Sequence, residues 1–305
     1  MFNNFFEVNK IIGDKLQSGE PFSSIRIDNT HAYVIHCNLE GTVPVSEFYN
    51  PYTMIEAAIT PISVEYALSV VVPKTIEAIK ESDVLGFVDV SQRIKQDILS
   101  EQSLFRETFG NKNFYTDFLV MDPGALLGYS EFGQVDQPWT QYLAGKKVLV
   151  CSCHPKTIKQ QWKRINDIWG EKRNKIAPFE LVDVISTPYS PVIDDRQYAD
   201  CENFEDLIEI TKRRIDQYDY DVLLTGITTQ SPFYAQHAKS RGKVGIQTGG
   251  TIQLFFGILG NRWDSSVAYA NWRNMFNEYW IRPLEIDSPQ KRNQISFLET
   301  SYAYW

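Results

Sequence analysis

Gly249, Gly250 and Thr251 stand between a short alternating apolar run and a longer continuous one in KVGIQTGGTIQLFFGILGNRW, Lys243 to Trp263. Lys243 to Gln247 has the period of two expected of a strand, and Thr251 to Leu259 reads as an apolar helix. The first amides of a helix have no acceptor within it, and glycine lets a ligand approach the backbone closely. The guest that suits such a turn is a phosphate or diphosphate. The same residues would serve equally as a close-packed helix start that Thr251 caps.

A second cluster is Ser24-Ile25-Arg26-Ile27-Asp28-Asn29-Thr30-His31, in which a strand delivers Arg26 to a polar turn. Arg26 could grip a diphosphate or carboxylate with a forked contact, and Asp28, Asn29 and His31 could hold a metal or orient a hydroxyl. An Asx turn that leads into a helix cap accounts for the same residues. His154 follows a buried strand and stands beside Cys153 and Lys156, within reach of a nucleotide or an acceptor. A polar loop before a helix is its plainer reading.

Elements that repeat must carry these groups to one place. After Pro138 the chain alternates strand and helix: Lys147 to Ser152 then Lys156 to Trp169, Glu180 to Ser186 then Phe204 to Gln217, Asp221 to Thr225 then Phe233 to Arg241, and Lys243 to Gln247 then the helix from Thr251. This rhythm predicts an α/β fold, a Rossmann-like parallel sheet with helices on both faces, in one domain over 1–305. Residues 141–305 form its regular half, and 1–140 is the half that holds the Arg26 to His31 cluster. In the first half, Phe5 to Leu16 reads as helix, Ser24 to Ile27 and Val84 to Val90 as strands, and Met54 to Lys80 as helical with breaks at Pro61 and Pro73. Gly124 to Pro138 reads as a long loop. Ligands of such sheets sit beyond the carboxyl ends of the strands, so the loops after Ser152, Ser186, Thr225 and Gln247 share a rim.

Composition narrows the partners. The chain has 305 residues, 43% hydrophobic and 22% charged, with a formal net charge of −8 and a pI near 5.2. Those values predict a globular protein and no nucleic-acid partner. The four cysteines, Cys37, Cys151, Cys153 and Cys201, lack CxxC spacing and read as core thiols. With no signal pattern at the N-terminus, a cytoplasmic location is expected. Ile59 to Pro73 is broken by Pro61, Ser63 and Glu65, so membrane contact is expected to be peripheral at most. The aromatic residues Tyr269, Trp272, Phe276, Tyr279, Trp280, Tyr302, Tyr304 and Trp305 are expected mainly to cover the sheet. Several signatures are missing: Gly-x-Gly-x-x-Gly, the Gly-Lys-Ser/Thr phosphate loop, Gly-x-Ser-x-Gly and His-Glu-x-x-His. Common dinucleotide oxidoreductases, ATPases, serine hydrolases and zinc proteases lose ground accordingly.

An ordered set of motifs resembles the GT-D-type glycosyltransferases of bacteria and viruses. The set runs from Arg26-Ile27-Asp28-Asn29 through Pro138-Trp139, Leu143-Ala144-Gly145-Lys146-Lys147-Val148-Leu149-Val150 and Tyr218 to Leu224. It continues with Gly249 to Trp263, Asn277 to Pro283 and the terminal Tyr304-Trp305. The resemblance implies a nucleotide-sugar donor, UDP- or GDP-linked, a glycan or other hydroxyl acceptor, and a role in surface polysaccharide assembly. It places the diphosphate at Gly249, Gly250 and Thr251 with Arg26 and Arg262 as positive partners. The candidate bases are Asp28, His31, Asp264 and Glu278. Two departures stand out. Asp28 replaces the usual glycine and His31 the metal-associated glutamate, and imidazole suits Mn²⁺ better than Mg²⁺. Gly226-Ile227-Thr228-Thr229-Gln230 replaces a glycine and tyrosine turn, so Gly226 and Thr228 are expected to read a different sugar. The loss of the glutamate leaves open a lapsed relative that binds a nucleotide sugar or glycan without turnover.

Overall fold

The computed structural model describes residues 5–27, 29–42, 66–87, 103–110, 113–116, 129–130, 133–134, 136–171, 176–188, 201, 203–227, 229–264 and 273–288. Nine strands occur among them: β1 Phe22–Ile27, β2 Val84–Phe87, β3 Asn113–Thr116, β4 Tyr129–Ser130, β5 Gly133–Gln134, β6 Lys147–Ser152, β7 Glu180–Ser186, β8 Val222–Thr225 and β9 Val244–Gln247. Seven of them form one sheet in the order β3-β2-β1-β9-β8-β6-β7. Every neighbouring pair in it is parallel. The fold is thus α/β with a Rossmann-like parallel sheet. Strands from the irregular first half, including β3, which the periodicity did not reveal, extend the sheet built by the second half. β4 and β5 pair separately as an antiparallel ribbon within the expected long loop.

The helices are α1 Phe5–Ser18, α2 Asn29–Leu39, α3 Val72–Glu81, α4 Leu104–Phe109, α5 Pro155–Trp162, α6 Ile165–Trp169, α7 Phe204–Ile215, α8 Ser231–Ser240, α9 Thr251–Phe255 and α10 Asn261–Asp264. Alternation along the strands sorts them onto two faces. Val148, Val150, Val222, Leu224, Val244 and Ile246 join Ile12 of α1, Ile158 of α5, Ile168 of α6 and Phe255 of α9 in one core. Leu149, Leu223, Ile25 and Ile27 join Ile35 of α2, Ile79 of α3, Ile208 of α7 and Ala235 of α8 in the other. Side chains on a strand point alternately to its two faces, so Arg26, between Ile25 and Ile27, projects to the α9 side.

Local chemistry explains the departures from the sequence reading. Pro73 does not interrupt a helix. It sits in the first turn of α3, where its missing N–H costs nothing, directly after a π-helix at Ala67–Val71. The run expected to be helical to Leu259 ends at Phe255, because Gly257 takes a left-handed φ of 66°. Its N–H donates to Leu254 O at 3.0 Å, and the Ile258 N–H donates to Gln253 O at 2.9 Å, closing a Schellman cap. Two carbonyls nearby are claimed from α5 and α6: Trp169 Nε1 donates to Phe255 O at 3.0 Å, and Gln161 Nε2 donates to Gly257 O at 3.0 Å. The helix expected over Lys156 to Trp169 is two, α5 and α6. Trp162 stacks on Phe179 with centroids 4.3 Å apart, and the chain re-enters helix after Arg164.

Candidate functional site at the carboxyl rim

Exits from adjacent strands leave the rim on opposite faces. β1 leads to α2 on one face, and β9 leads through Gly249 and Gly250 to α9 on the other, so the connections change face between β1 and β9. Arg26 stands at the end of β1, and its backbone N–H donates to Gln247 Oε1 on β9 at 3.0 Å. The β9 turn is pinned from the other side. The Thr248 N–H and Oγ1 both reach Thr225 O, at 2.8 and 3.2 Å. Gly226 packs directly beneath it, where a Cβ would lie 2.7 Å from Gly249 O and 2.4 Å from Ile252 Cγ2. Gly226 is therefore a glycine because the β8 and β9 exits touch there.

Gly249 adopts a φ of 56°, the left-handed region that glycine favours. No side chain caps the turn. Among the described residues the N–H groups of Gly249, Gly250 and Thr251 have no acceptor. Thr251 is fully buried and its Oγ1 has no partner either. Native interiors seldom leave such groups unmatched, so these buried donors are ones that a water or an anion could take up. The helix behind the turn, expected over Thr251 to Leu259, spans only five residues and adds little dipole. The groups here that suit an anion are the amides, the hydroxyl and Arg26.

The structure also revises His154. Its ring is fully buried, so it does not line an open rim. Trp263 Nε1 donates to Gln253 Oε1 at 3.1 Å, which leaves the Gln253 amide nitrogen facing His154 Nε2 at 3.1 Å. An indole nitrogen only donates, so the Gln253 amide donates in turn and His154 Nε2 accepts. The imidazole proton then sits on Nδ1, 3.1 Å from Cys153 Sγ. Burial pushes the imidazole pKa down to about 3.

Lys156 belongs to a helix start that is already occupied. Asp287, buried and 130 or 131 positions distant, accepts from the Lys156 N–H at 3.2 Å and from the Thr157 N–H and Oγ1 at 2.6 Å each. A carboxylate from the C-terminal segment thus fills the anion site of α5. Neither Asp287 nor the Gln253 relay was foreseen. Only the isolated polar Gln253 within an apolar run gave a signal.

The proposed bases part company. Asp264, in α10 directly after Trp263, pairs with Arg282 through Oδ2, while its Oδ1 is buried and has no partner among the described residues. Glu278 is exposed beside Asn277, whose side chain donates to the carbonyls of Asp167 and Ile168 in α6. Its segment lies against α6. His31 lies in α2 against Val34, Val71, Val72 and Thr229, lining a crevice of about 20 Å³, enough for one water-sized group. Asp28 and Thr228, with the side chains of Asn29 and Arg262, lie outside the described residues. Among the described residues no three His, Cys, Asp or Glu side chains gather as a metal set, so no step is derived through a metal.

No protein-family model matches the chain, and no curated protein matches it. A solved structure described as a new glycosyltransferase (DUF1792) from Streptococcus sanguinis is similar at 11% identity with a TM-score of 0.44, covering 96% of this chain and 97% of that one. Of the cysteines, Cys37, Cys151 and Cys201 are buried, Cys153 is partly exposed, and all four are free. Trp280 and Phe276 pack against the core, while Tyr269, Trp272, Tyr302, Tyr304 and Trp305 lie outside the described residues. Among the described residues no helix is long and apolar enough to cross a membrane.

Proposed function

We propose that the chain transfers a glycosyl group from a nucleoside-diphosphate sugar to an acceptor hydroxyl. The observation that carries this reading is the unpaired Gly249, Gly250 and Thr251 N–H groups and the Thr251 hydroxyl, at the end of the strand that pairs with the Arg26 strand. The ordered motif resemblance supports it independently. The bond between the sugar's anomeric carbon and the diphosphate breaks, and that carbon bonds to the acceptor oxygen. The hydroxyl proton passes to a base, and the diphosphate keeps the bonding electrons, its charge held by Arg26 and the amides. Asp264 is the base we favour among the described candidates, because Arg282 holds one carboxylate oxygen and the other has no partner.

A thermal-shift screen against UDP, GDP and their sugars, with and without Mn²⁺ or Mg²⁺, tests the reading. A ligand at a hundredfold excess over its Kd stabilises by about 2.7 kcal/mol, a rise on the order of 5 °C for a chain of this size. The shift should appear with one nucleotide family and vanish in Arg26→Ala and Gly250→Val. A folded protein that responds to none of them overturns the proposal. A second reading, binding without turnover, is favoured by His31 standing where the family that the motifs resemble carries a glutamate. Stabilisation by a nucleotide sugar with no glycosylated product on any acceptor would select it.

A further inference from the structure

The Trp263, Gln253 and His154 side chains are each at most 3% exposed, and they join three separate pieces of the rim. Gln253 belongs to α9, two residues after the Thr251 hydroxyl. Trp263 belongs to α10, immediately before Asp264. His154 belongs to the exit of β6. One primary amide connects them, accepting at 3.1 Å from the indole and donating at 3.1 Å to the imidazole. A buried amide that accepts from an indole has a single orientation, because reversing it would set donor against donor at Trp263. The His154 backbone is fixed as well, its N–H donating to Ser152 Oγ at 3.1 Å.

We propose that Gln253 is the positioning residue of this rim: its amide fixes His154 as the Nδ1–H tautomer and holds the Gly249 to Thr251 turn in register with the Trp263–Asp264 segment. The role deepens the transferase reading, since it sets the phosphate-binding amides and the candidate base in one geometry. Its structural content stands without that reading. Gln253 need not touch substrate. Replacing its amide by a carboxylate keeps the acceptor for Trp263 but removes the donor for His154, so the imidazole proton must move to Nε2. Replacing it by leucine keeps much of the volume and removes both bonds.

The test uses the full chain with ¹⁵N-labelled histidine, comparing wild type, Gln253→Glu and Gln253→Leu. In the wild type the His154 proton should reside on Nδ1 from about pH 8 to about pH 5, and in Gln253→Glu on Nε2. In Gln253→Leu the Thr248 and Ile252 amides, which donate to Thr225 O and Gly249 O on either side of the turn, should exchange with solvent at least about tenfold faster, a loss on the order of 1.4 kcal/mol of local protection. An Nε2 proton in the wild type, or unchanged exchange in Gln253→Leu, overturns the proposal. Nucleoside-diphosphate affinity, measured in parallel, should fall about tenfold or more in Gln253→Leu. If the tautomer and exchange results hold while no nucleotide binds the wild type, the transferase reading fails and the positioning role stands.

Discussion

At the scale of single residues, glycine does two different jobs in this chain, and the distinction can be measured. Gly245 lies in β9 beneath α8, and a Cβ there would sit 2.1 Å from Ala235 O. That oxygen belongs to a helix packed tightly on the sheet and cannot step aside. Gly13 lies in α1, where a Cβ would meet the Tyr142 ring at 2.7 Å. The ring is only partly buried and can swing outward. Alanine also favours a helix over glycine by about 1 kcal/mol. Gly13→Ala should therefore fall within about 1 kcal/mol of wild type, while Gly245→Ala should lose about 1–3 kcal/mol or more. Urea unfolding of the two variants side by side checks the contrast. Equal losses would mean that α8 can lift from the sheet at little cost.

Among the elements, what the sequence made legible was whatever depended on neighbours in the chain. Lys147–Ser152 and Glu180–Ser186 are strands over their full expected spans, because short runs rich in β-branched and apolar residues between turn residues are a local signal. The Gly249–Gly250 turn was legible for the same reason. The break between α5 and α6 was not, since Phe179 and the carbonyls claimed by Gln161 come from distant segments. The cap of α5 was equally hidden. His154 offers it no side-chain bond, and the acceptor is Asp287, packed in from the far end of the described chain. Leu284 joins the same point, its N–H donating to Thr157 Oγ1 at 3.0 Å. Removing a cap costs about 0.5–2 kcal/mol. Asp287→Ala should reach the upper part of that range, because three donors lose their acceptor. Asp287→Asn, which keeps one acceptor oxygen, should lose less. Chemical denaturation orders the two variants, and an Asp287→Ala protein as stable as wild type would show that the C-terminal segment does not hold α5.

For the whole molecule, the buried imidazole of His154 ties stability to pH with a definite sign. Burial lowers its folded pKa to about 3, against 6.5 when exposed. Protonating Nε2 would also turn a second donor toward the Gln253 amide, an obstacle that persists however the surroundings relax. As the pH falls below 6.5 the unfolded chain binds a proton that the folded chain refuses, so this contribution is complete above 6.5 and is lost progressively down to about 3. At 1.36 kcal/mol for each unit, the loss from His154 amounts to about 2 kcal/mol at pH 5. His237 adds to the same slope. Its burial lowers its pKa, against the opposing pull of Asp216, whose Oδ1 lies 2.8 Å away. Asp216 and Asp183 act lower on the scale. Burial raises each carboxyl, but Arg241 and His237 at Asp216, and Lys159 and Tyr218 at Asp183, outweigh it and hold both below 3.8. Their contributions are present above 3.8 and disappear only as the pH falls past it, so of these four groups it is the two histidines that act between 6.5 and 4. His154→Asn keeps an acceptor near the Gln253 amide but cannot titrate. Unfolding free energies at pH 7, 6 and 5 should therefore decline less steeply in His154→Asn than in wild type, the gap reaching about 2 kcal/mol at pH 5. Parallel curves would show that His154 accepts a proton in the folded state, and that the Gln253 amide does not hold its Nε2.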